Sequence, residues 1–208
     1  MKRKLGIVAA FMLVFLAVTG CQKQEETTKE PEQKQEKASE DLLSGTHHAE
    51  IQVKDYGTIT VELDADTAPI TVTNFVNLAK DGFYDNLTFH RIMDGFMIQG
   101  GDPNGNGTGG ADQTIKGEFS SNGVENEISH TRGTISMARA QDPDSASSQF
   151  FIVQEDSDYL DGNYAAFGHV TSGMEIVDQI CKDVPVEDDN GTVKAENQPV
   201  IEKITITD

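Results

Sequence analysis

The sequence is short of tryptophan, cysteine and positive charge. Its 208 residues include no Trp and only 2 Cys, and 35 Asp and Glu outnumber 16 Lys and Arg, giving a formal net charge of −19. Without Trp, no site in the chain can use an indole N–H donor. The acidic surface repels phosphate groups, so nucleic acid is not an expected partner. The 19 glycines and many Val, Ile and Thr instead favour β structure with frequent turns.

The first cysteine lies in a predicted targeting segment. The cations of residues 2–4 precede an apolar run over residues 5–18, which is short for a membrane span and typical of a secretory signal. The run ends at Cys21 after small residues, as in the bacterial lipobox, where the Cys receives lipid. An ordinary signal peptide with a chance Cys is the alternative. Lipidation would leave Cys181 without a disulfide partner, so Cys181 is predicted to be a core residue.

Composition divides the chain into three parts. Residues 1–20 are predicted to be a lipoprotein signal peptide, residues 21–46 the lipidated Cys and a disordered polar tether, and residues 47–208 a folded domain. A charged helix is the alternative for the tether, but Pro31 and the lack of an apolar stripe oppose it. His47 and His48 alone do not complete a metal site, so no metal is predicted.

The folded part is predicted to be mainly β, a closed eight-stranded antiparallel β-barrel capped by two α-helices. Alternating apolar residues predict a hairpin around residues 55–57. A helix is predicted from Pro69, after the capping-type residues Asp66 and Thr67, to a stop at Gly82. Further strands are expected at 133–138, 149–153, 165–170 and 200–206, with the second helix at 173–182. Residues 105–110 fit G-x-G-x-x-G, but no helix follows, so a loop and no dinucleotide cofactor are expected.

Residues 89–102 are predicted to organise the domain. Two apolar runs flank a turn at residues 93–95, with Arg91 on the first run. Strand alternation places Met97 and Gln99 on one face of the second run. The hairpin could therefore hold an apolar group and hydrogen-bond its polar edge. A half-buried hairpin with a merely solvated Arg and Gln is the alternative.

Seven short motifs follow one another in unbroken order over residues 48–208. They are Phe89-His90-Arg91, Gly95 to Asp102, Gly107 to Gly110, Ser136-Met137-Ala138, Ser148 to Ile152, Leu160-Asp161-Gly162 and Phe167-Gly168. Together they resemble the motifs of the cyclophilins, the cyclosporin-binding class of peptidyl-prolyl cis-trans isomerases. The resemblance implies a barrel with a packed interior and an active site in a groove on its outer face. It implies no cofactor.

The resemblance also implies a role for individual residues. Arg91 and Gln99 are the implied catalytic residues. The implied substrate-binding residues are Phe96, Met97, Gly107, Ala138, Arg139, Gln149, Phe151, Tyr159, Leu160 and Tyr164. Tyr159 stands where many members have Trp, so weak cyclosporin binding is expected. Tyr164 stands where many members have His, which predicts retained activity with an altered substrate preference. Arg139 stands where eukaryotic members commonly have Asn, and the family's substrate contact at that position is mainly through the backbone.

The predicted function is acceleration of Xaa-Pro bond rotation in exported, unfolded, proline-containing polypeptides. The lipobox and tether predict an extracytoplasmic enzyme that is lipid-anchored to the bacterial cell membrane, of the Gram-positive type. A proline-peptide-binding chaperone module with incidental catalysis is the first alternative, although the chain retains Arg91 and the pocket residues. A ligand-carrying barrel is the second, and it requires an open interior.

The lipobox hypothesis makes Cys21 responsible for membrane association. In Cys21→Ser the thiol that would accept the lipid is absent, so the protein should leave the membrane fraction. Cell fractionation with immunodetection checks this, with Cys181→Ser as the matched control that should remain with the membrane. A Cys21→Ser chain that stays membrane-bound through a processed N-terminus would contradict the lipoprotein hypothesis.

Overall fold

Eight strands and two α-helices make up residues 42–208, the part of the chain that the computed structural model describes. The elements are β1 Thr46–Val53, β2 Gly57–Asp64, α1 Pro69–Lys80, β3 Phe89–Met93, β4 Met97–Gly100, β5 Thr134–Met137, β6 Phe150–Val153, β7 Ala166–Ser172, α2 Met174–Asp183 and β8 Ile201–Ile206. Within these residues no helix is long and apolar enough to cross a membrane. The predicted signal peptide, Cys21 and most of the tether lie outside the described residues.

The strands form one antiparallel sheet in the order β3-β4-β6-β5-β7-β2-β1-β8. The sheet curls until its outer strands approach each other. There the Phe89 amide donates to the Pro199 carbonyl at 3.0 Å and the Ile201 amide donates to the Leu87 carbonyl at 2.8 Å. The two edges therefore meet through a short bridge and not through a full ladder. The predicted mainly β fold of eight antiparallel strands with two helices is confirmed.

Aromatic side chains fill the interior of the curled sheet. The ring of Phe75 on α1 lies 5.5 Å from that of Phe150 and 5.3 Å from that of Phe167, measured between centroids, and all three residues are fully buried. The interior is therefore a packed core, and the alternative of a ligand-carrying barrel is wrong. Cys181 on α2 is also buried, as predicted, and its burial raises the pKa of the thiol to about 12.

Helix α1 begins at Pro69 as predicted, but the predicted capping residues do not cap it. Ala68 occupies the N-cap position and makes no side-chain bond to the helix. The buried carboxylate of Glu118 accepts hydrogen bonds from the amides of Ile70 at 3.0 Å and Thr71 at 2.8 Å instead. These amides are unsatisfied donors at any helix N-terminus, and a distant carboxylate can serve as well as a local one.

The folded domain begins slightly before the predicted boundary between residues 46 and 47. Strand β1 starts at Thr46, and the Leu43 amide donates to Thr73 Oγ1 at 2.8 Å. Leu43 also packs against the core, so contacts of the folded domain extend to residues that the prediction assigned to the tether.

The glycine motif forms a loop and no helix, as predicted. In this loop the Asp102 carboxylate accepts from the amides of Asn106 and Gly107.

Candidate active site

The pairing of the strands brings the central candidate residues into one row. Arg91 on β3 lies opposite Gln99 on β4, and Gln99 lies opposite Phe151 on β6. Directly opposed residues of antiparallel strands point to the same face of a sheet. The tight turn between β3 and β4, with Gly95 at φ +79°, fixes this register. A cation, an amide and an aromatic ring therefore stand side by side.

This row borders a pocket of about 220 Å³ on the outer face of the sheet. Its walls belong to an apolar cluster separate from the barrel core, in which Met97 and Phe151 are buried and Phe96, Ala138, Leu160 and Tyr164 are partly buried. The residues that line the pocket are Arg91, Phe96, Met97, Gln99, Ala138, Arg139, Phe151, Leu160 and Tyr164. Nine of the twelve predicted site residues thus surround one small apolar space.

Neutral groups hold the guanidinium of Arg91 at the mouth of this pocket. Its Nε donates to the Asn190 carbonyl at 2.8 Å, Nη2 donates to Asn190 Oδ1 at 3.2 Å, and Nη1 donates to Gln99 Oε1 at 3.2 Å. Among residues 42–208, the second Nη1 hydrogen has only the Met97 sulfur as a partner, 4.0 Å from the nitrogen. Burial lowers the pKa of Arg91, although arginine stays charged at any physiological pH.

The same arginine sets the orientation of two amides beside the pocket. Because Gln99 Oε1 accepts from Arg91, its Nε2 faces away and donates to Gln149 Oε1 at 2.9 Å. Gln149 Nε2 then donates to the Gly109 carbonyl at 2.7 Å. One chain of hydrogen bonds therefore runs from the guanidinium to the glycine loop. It fixes which end of each glutamine amide is the oxygen and which is the nitrogen.

Two predicted residues lie beside the pocket and not in its wall. Gly107 and Gln149 line a neighbouring cavity of about 240 Å³, which shares Gln99, Ala138 and Arg139 with the pocket. The Arg139 guanidinium is not free, because it donates to the Asn163 carbonyl at 2.8 Å and lies 4.8 Å from the Tyr164 ring centroid.

Tyr159 is at the rim of the pocket. Its side chain is outside the lining residues and the residue is 67% exposed. The ring centroid lies 6.0 Å from that of Phe96, which forms part of the wall. The structure thus places Tyr159 where it could touch a ligand that extends beyond the pocket, and it does not make the residue part of the enclosed space.

The sequence prediction missed two residues that organise the site. Asn190 anchors Arg91, yet the segment 187–191 reads only as an acidic loop. His130 lies parallel to the Phe151 ring at an interplanar angle of 16°, with centroids 6.0 Å apart. Neither residue stands in a motif or a periodic pattern, so the sequence contains no signal that would have identified it.

Residues 48–208 match the family model described as cyclophilin type peptidyl-prolyl cis-trans isomerase/CLD. The chain belongs to the cyclophilin family. It is 46% identical over 140 residues to peptidyl-prolyl cis-trans isomerase B of Bacillus subtilis, covering 65% of this chain and 94% of that protein. It is 45% identical over 143 residues to a peptidyl-prolyl cis-trans isomerase of Helicobacter pylori, covering 68% and 85%.

A solved cyclophilin agrees with the fold. The crystal structure of a Cryptosporidium parvum cyclophilin type peptidyl-prolyl cis-trans isomerase, determined in the presence of dipeptide ala-pro, superposes with a TM-score of 0.68 at 31% identity. The alignment covers 77% of this chain and 99% of that one. Together these similarities identify this cyclophilin as an enzyme of the peptidyl-prolyl cis-trans isomerase class.

The contacts of Arg91 predict a role for Asn190. Asn190→Ala removes the Oδ1 acceptor and leaves the backbone contact, so the guanidinium should move more freely. We expect the catalysed rate to fall about threefold to tenfold, which corresponds to about 0.7–1.4 kcal/mol, the contribution of one ordinary hydrogen bond at a solvent-exposed residue. NMR exchange spectroscopy on a proline-containing peptide measures this rate.

The exposed neighbour Asp189 provides the control, since Asp189→Ala leaves every contact of Arg91 in place. If both variants retain the rate of the unmodified protein, the Asn190 side chain does not hold the arginine for catalysis.

Proposed function

We propose that the outer-face pocket binds the proline ring of an Xaa-Pro segment and that Arg91 promotes rotation about the bond before it. The observation that carries this proposal is an arginine, fixed by Asn190 and Gln99, with one remaining donor beside the apolar pocket wall. The Cryptosporidium relative was crystallised in the presence of an Ala-Pro dipeptide, which supports a proline-containing ligand for this site as well.

The chemistry of the peptide bond explains why this arrangement suits the reaction. Rotation has a barrier of about 18–20 kcal/mol because the planar amide loses resonance on twisting. At the twisted midpoint the nitrogen regains a lone pair and the bond is less polar. An apolar wall of Phe96, Met97 and Phe151 therefore disfavours the planar state more than the twisted one.

Arg91 acts on the same midpoint by donating a hydrogen bond to the lone pair. The planar amide nitrogen offers no lone pair, so this bond exists only in the transition state. Interactions of that kind lower the barrier without tightening substrate binding. Every step in this mechanism uses side chains of the chain itself.

The proposed clients are unfolded, proline-containing proteins that have been exported. We base this on the apolar run and lipobox-like sequence before Cys21, which would tether the enzyme to the outer face of the bacterial cell membrane. The polar segment after Cys21 would give the domain reach from that surface. A Gram-positive cell envelope fits this arrangement.

A second candidate function is a chaperone module that binds proline segments and catalyses only incidentally. The exposed Tyr159 at the rim favours it, because an exposed aromatic ring can add contact area for an unfolded chain. The contribution of Arg91 distinguishes the two functions, since a binding module has no need of an interaction confined to the transition state.

Arg91→Ala is the direct test of the isomerase mechanism. We expect the catalysed rate to fall about 10²–10³-fold while peptide affinity changes little, because the lost donor acts only at the midpoint. Arg91→Lys should recover part of the loss, since Lys keeps the charge but lacks the planar fork. Rate and affinity are both measured by NMR on one proline-containing peptide.

Phe151→Ala is the matched variant, because it opens the pocket wall in both states and should weaken affinity and rate together. Equal losses of affinity and rate in Arg91→Ala would show that Arg91 is a binding residue, and the binding module would become the better description.

We also propose that cyclosporin binds this protein only weakly. Tyr159 offers less apolar area than an indole and lacks its N–H donor at the rim. Tyr159→Trp should therefore lower the cyclosporin dissociation constant by about tenfold, the effect of one donor with its apolar area. Inhibition of the catalysed rate by added cyclosporin measures this. An unchanged inhibition curve for Tyr159→Trp would rule out the explanation.

A further inference from the structure

His130 lies behind the proposed proline pocket and takes no part in the chemistry of Arg91. The residue is fully buried, and it precedes β5 in the chain. Burying an imidazole is unfavourable unless its ring nitrogens find partners. Both nitrogens of His130 have partners, and each partner adjoins a different residue of the pocket wall, since Asp161 follows Leu160 in the chain and Ser136 pairs with Phe151.

The hydrogen bonds fix one form of the ring. Nδ1 lies 2.7 Å from Asp161 Oδ1, and Nε2 lies 3.0 Å from Ser136 Oγ. A carboxylate can only accept, so Nδ1 carries the hydrogen and Nε2 of the neutral ring accepts from the Ser136 hydroxyl. Burial lowers the pKa of His130, in agreement with a neutral ring. The titratable groups facing this ring are Asp161 and Tyr164.

His130 also holds both ends of the turn that supplies Leu160 to the pocket. The Ser157 amide donates to the His130 carbonyl at 2.8 Å, before the short 3₁₀ turn Asp158–Leu160. After the turn, Asp161 Oδ1 accepts from the His130 amide at 2.8 Å as well as from the ring. The backbone of His130 therefore holds the first end of the turn that carries Leu160, and its amide and ring hold the second end together with Ser129, whose hydroxyl donates to Asp161 Oδ2 at 2.6 Å.

The ring of His130 supports the aromatic wall directly. It lies parallel to Phe151, and the Tyr164 ring meets Phe151 edge-on at 86° with centroids 6.0 Å apart. Tyr164 also meets the imidazole edge-on, at 6.4 Å. His130 thus contacts two rings that line the pocket, and it contacts both ends of the turn that supplies a third lining residue, Leu160.

Asp161, His130 and Ser136 follow the bonding order of a hydrolase triad, but the geometry excludes a nucleophilic role. Ser136 is fully buried, and Phe151 stands beside it in the register of β5 and β6. A substrate carbonyl could not reach the Ser136 hydroxyl without displacing the pocket wall. Triad chemistry requires an accessible nucleophile next to an oxyanion site.

We propose that His130 is a positioning residue that sets the shape of the proline pocket, through its bonds to Asp161 and Ser136 and its contact with Phe151. This rests on the proposed function of the pocket. Because loss of the His130 side chain leaves the apolar wall residues and the Arg91 donor in place, it changes only how closely the proline ring fits, in the planar and the twisted state alike. His130 therefore governs binding of the substrate and leaves the transition-state contact to Arg91. Its loss should therefore appear in affinity and not in the rate at saturation.

Two substitutions in the full chain separate the contributions of the side chain. His130→Phe keeps a ring beside Phe151 and removes both hydrogen bonds, whereas His130→Asn keeps a donor for Asp161 and removes the ring. We expect each to raise the dissociation constant of a proline-containing peptide about fivefold, as for the loss of one or two hydrogen bonds. The exchange rate at saturating peptide should stay within about twofold of the unmodified protein.

This pattern differs from that of simple destabilisation. A partly unfolded sample contains less active enzyme, so its saturated rate falls while its affinity is unchanged. Ser136→Ala adds a milder test, because it deletes one hydroxyl behind the wall and should raise the dissociation constant about twofold. Ser148→Ala is the control. Ser148 is equally buried but donates to the Gly101 carbonyl at 2.7 Å, so affinity should not change.

The imidazole itself provides a spectroscopic measurement. The buried Nδ1–H should give a slowly exchanging proton resonance that shifts in Ser136→Ala and on addition of the peptide. If the His130 and Ser136 variants bind the peptide as the unmodified protein does, or lose only saturated rate, the proposal is wrong. If the unmodified chain fails to catalyse exchange at all, the proposed function fails, which is a separate result.

Discussion

The register of four neighbouring strands is the constraint on which the site depends. Arg91, Gln99, Phe151 and Ser136 lie opposite one another across β3, β4, β6 and β5. A slip of one residue in any of these pairings would turn the corresponding side chain to the opposite face of the sheet. The burial of Ile98 and Ile152, which point into the core between the site residues, opposes such a slip. Core packing and site geometry are therefore fixed by the same pairing.

The sequence predicted the fold well because its signals were local. Val72, Phe75 and Ala79 follow the helical period, and all three are buried in α1. The alternation in β1 and β2 and the turn before β4 likewise reflect residues that are close in the chain. Seven cyclophilin-like motifs then placed the pocket residues, and the structure brings nine of the twelve into one pocket wall. Their individual roles remain predictions.

Contacts between distant residues were beyond prediction. The Glu118 carboxylate that caps α1 is 47 residues from Thr71, and the Asn190 carbonyl that holds Arg91 is 99 residues away. His130 and Asp161 are separated by 31 residues. No periodicity or spacing rule links the two residues of such a pair, since the way the loops fold over the sheet decides which residues meet. The predicted cap at Asp66 and Thr67 was wrong for this reason, because propensity cannot show that a distant carboxylate takes the position.

The choice of partners around Arg91 explains how a half-buried cation stays available for the reaction. Within residues 42–208 no carboxylate lies within 4.0 Å of its guanidinium, and its partners are the neutral oxygens of Asn190 and Gln99 and the sulfurs of Met93 and Met97. Arg132 shows the contrast, because both of its terminal nitrogens bind Asp178, at 2.8 and 2.7 Å, and this raises its pKa. Such a pair uses the donors and neutralises the charge. Neutral partners orient Arg91 without pairing its charge to a carboxylate at contact distance, so that its field can act on a lone pair that forms only when the peptide bond twists.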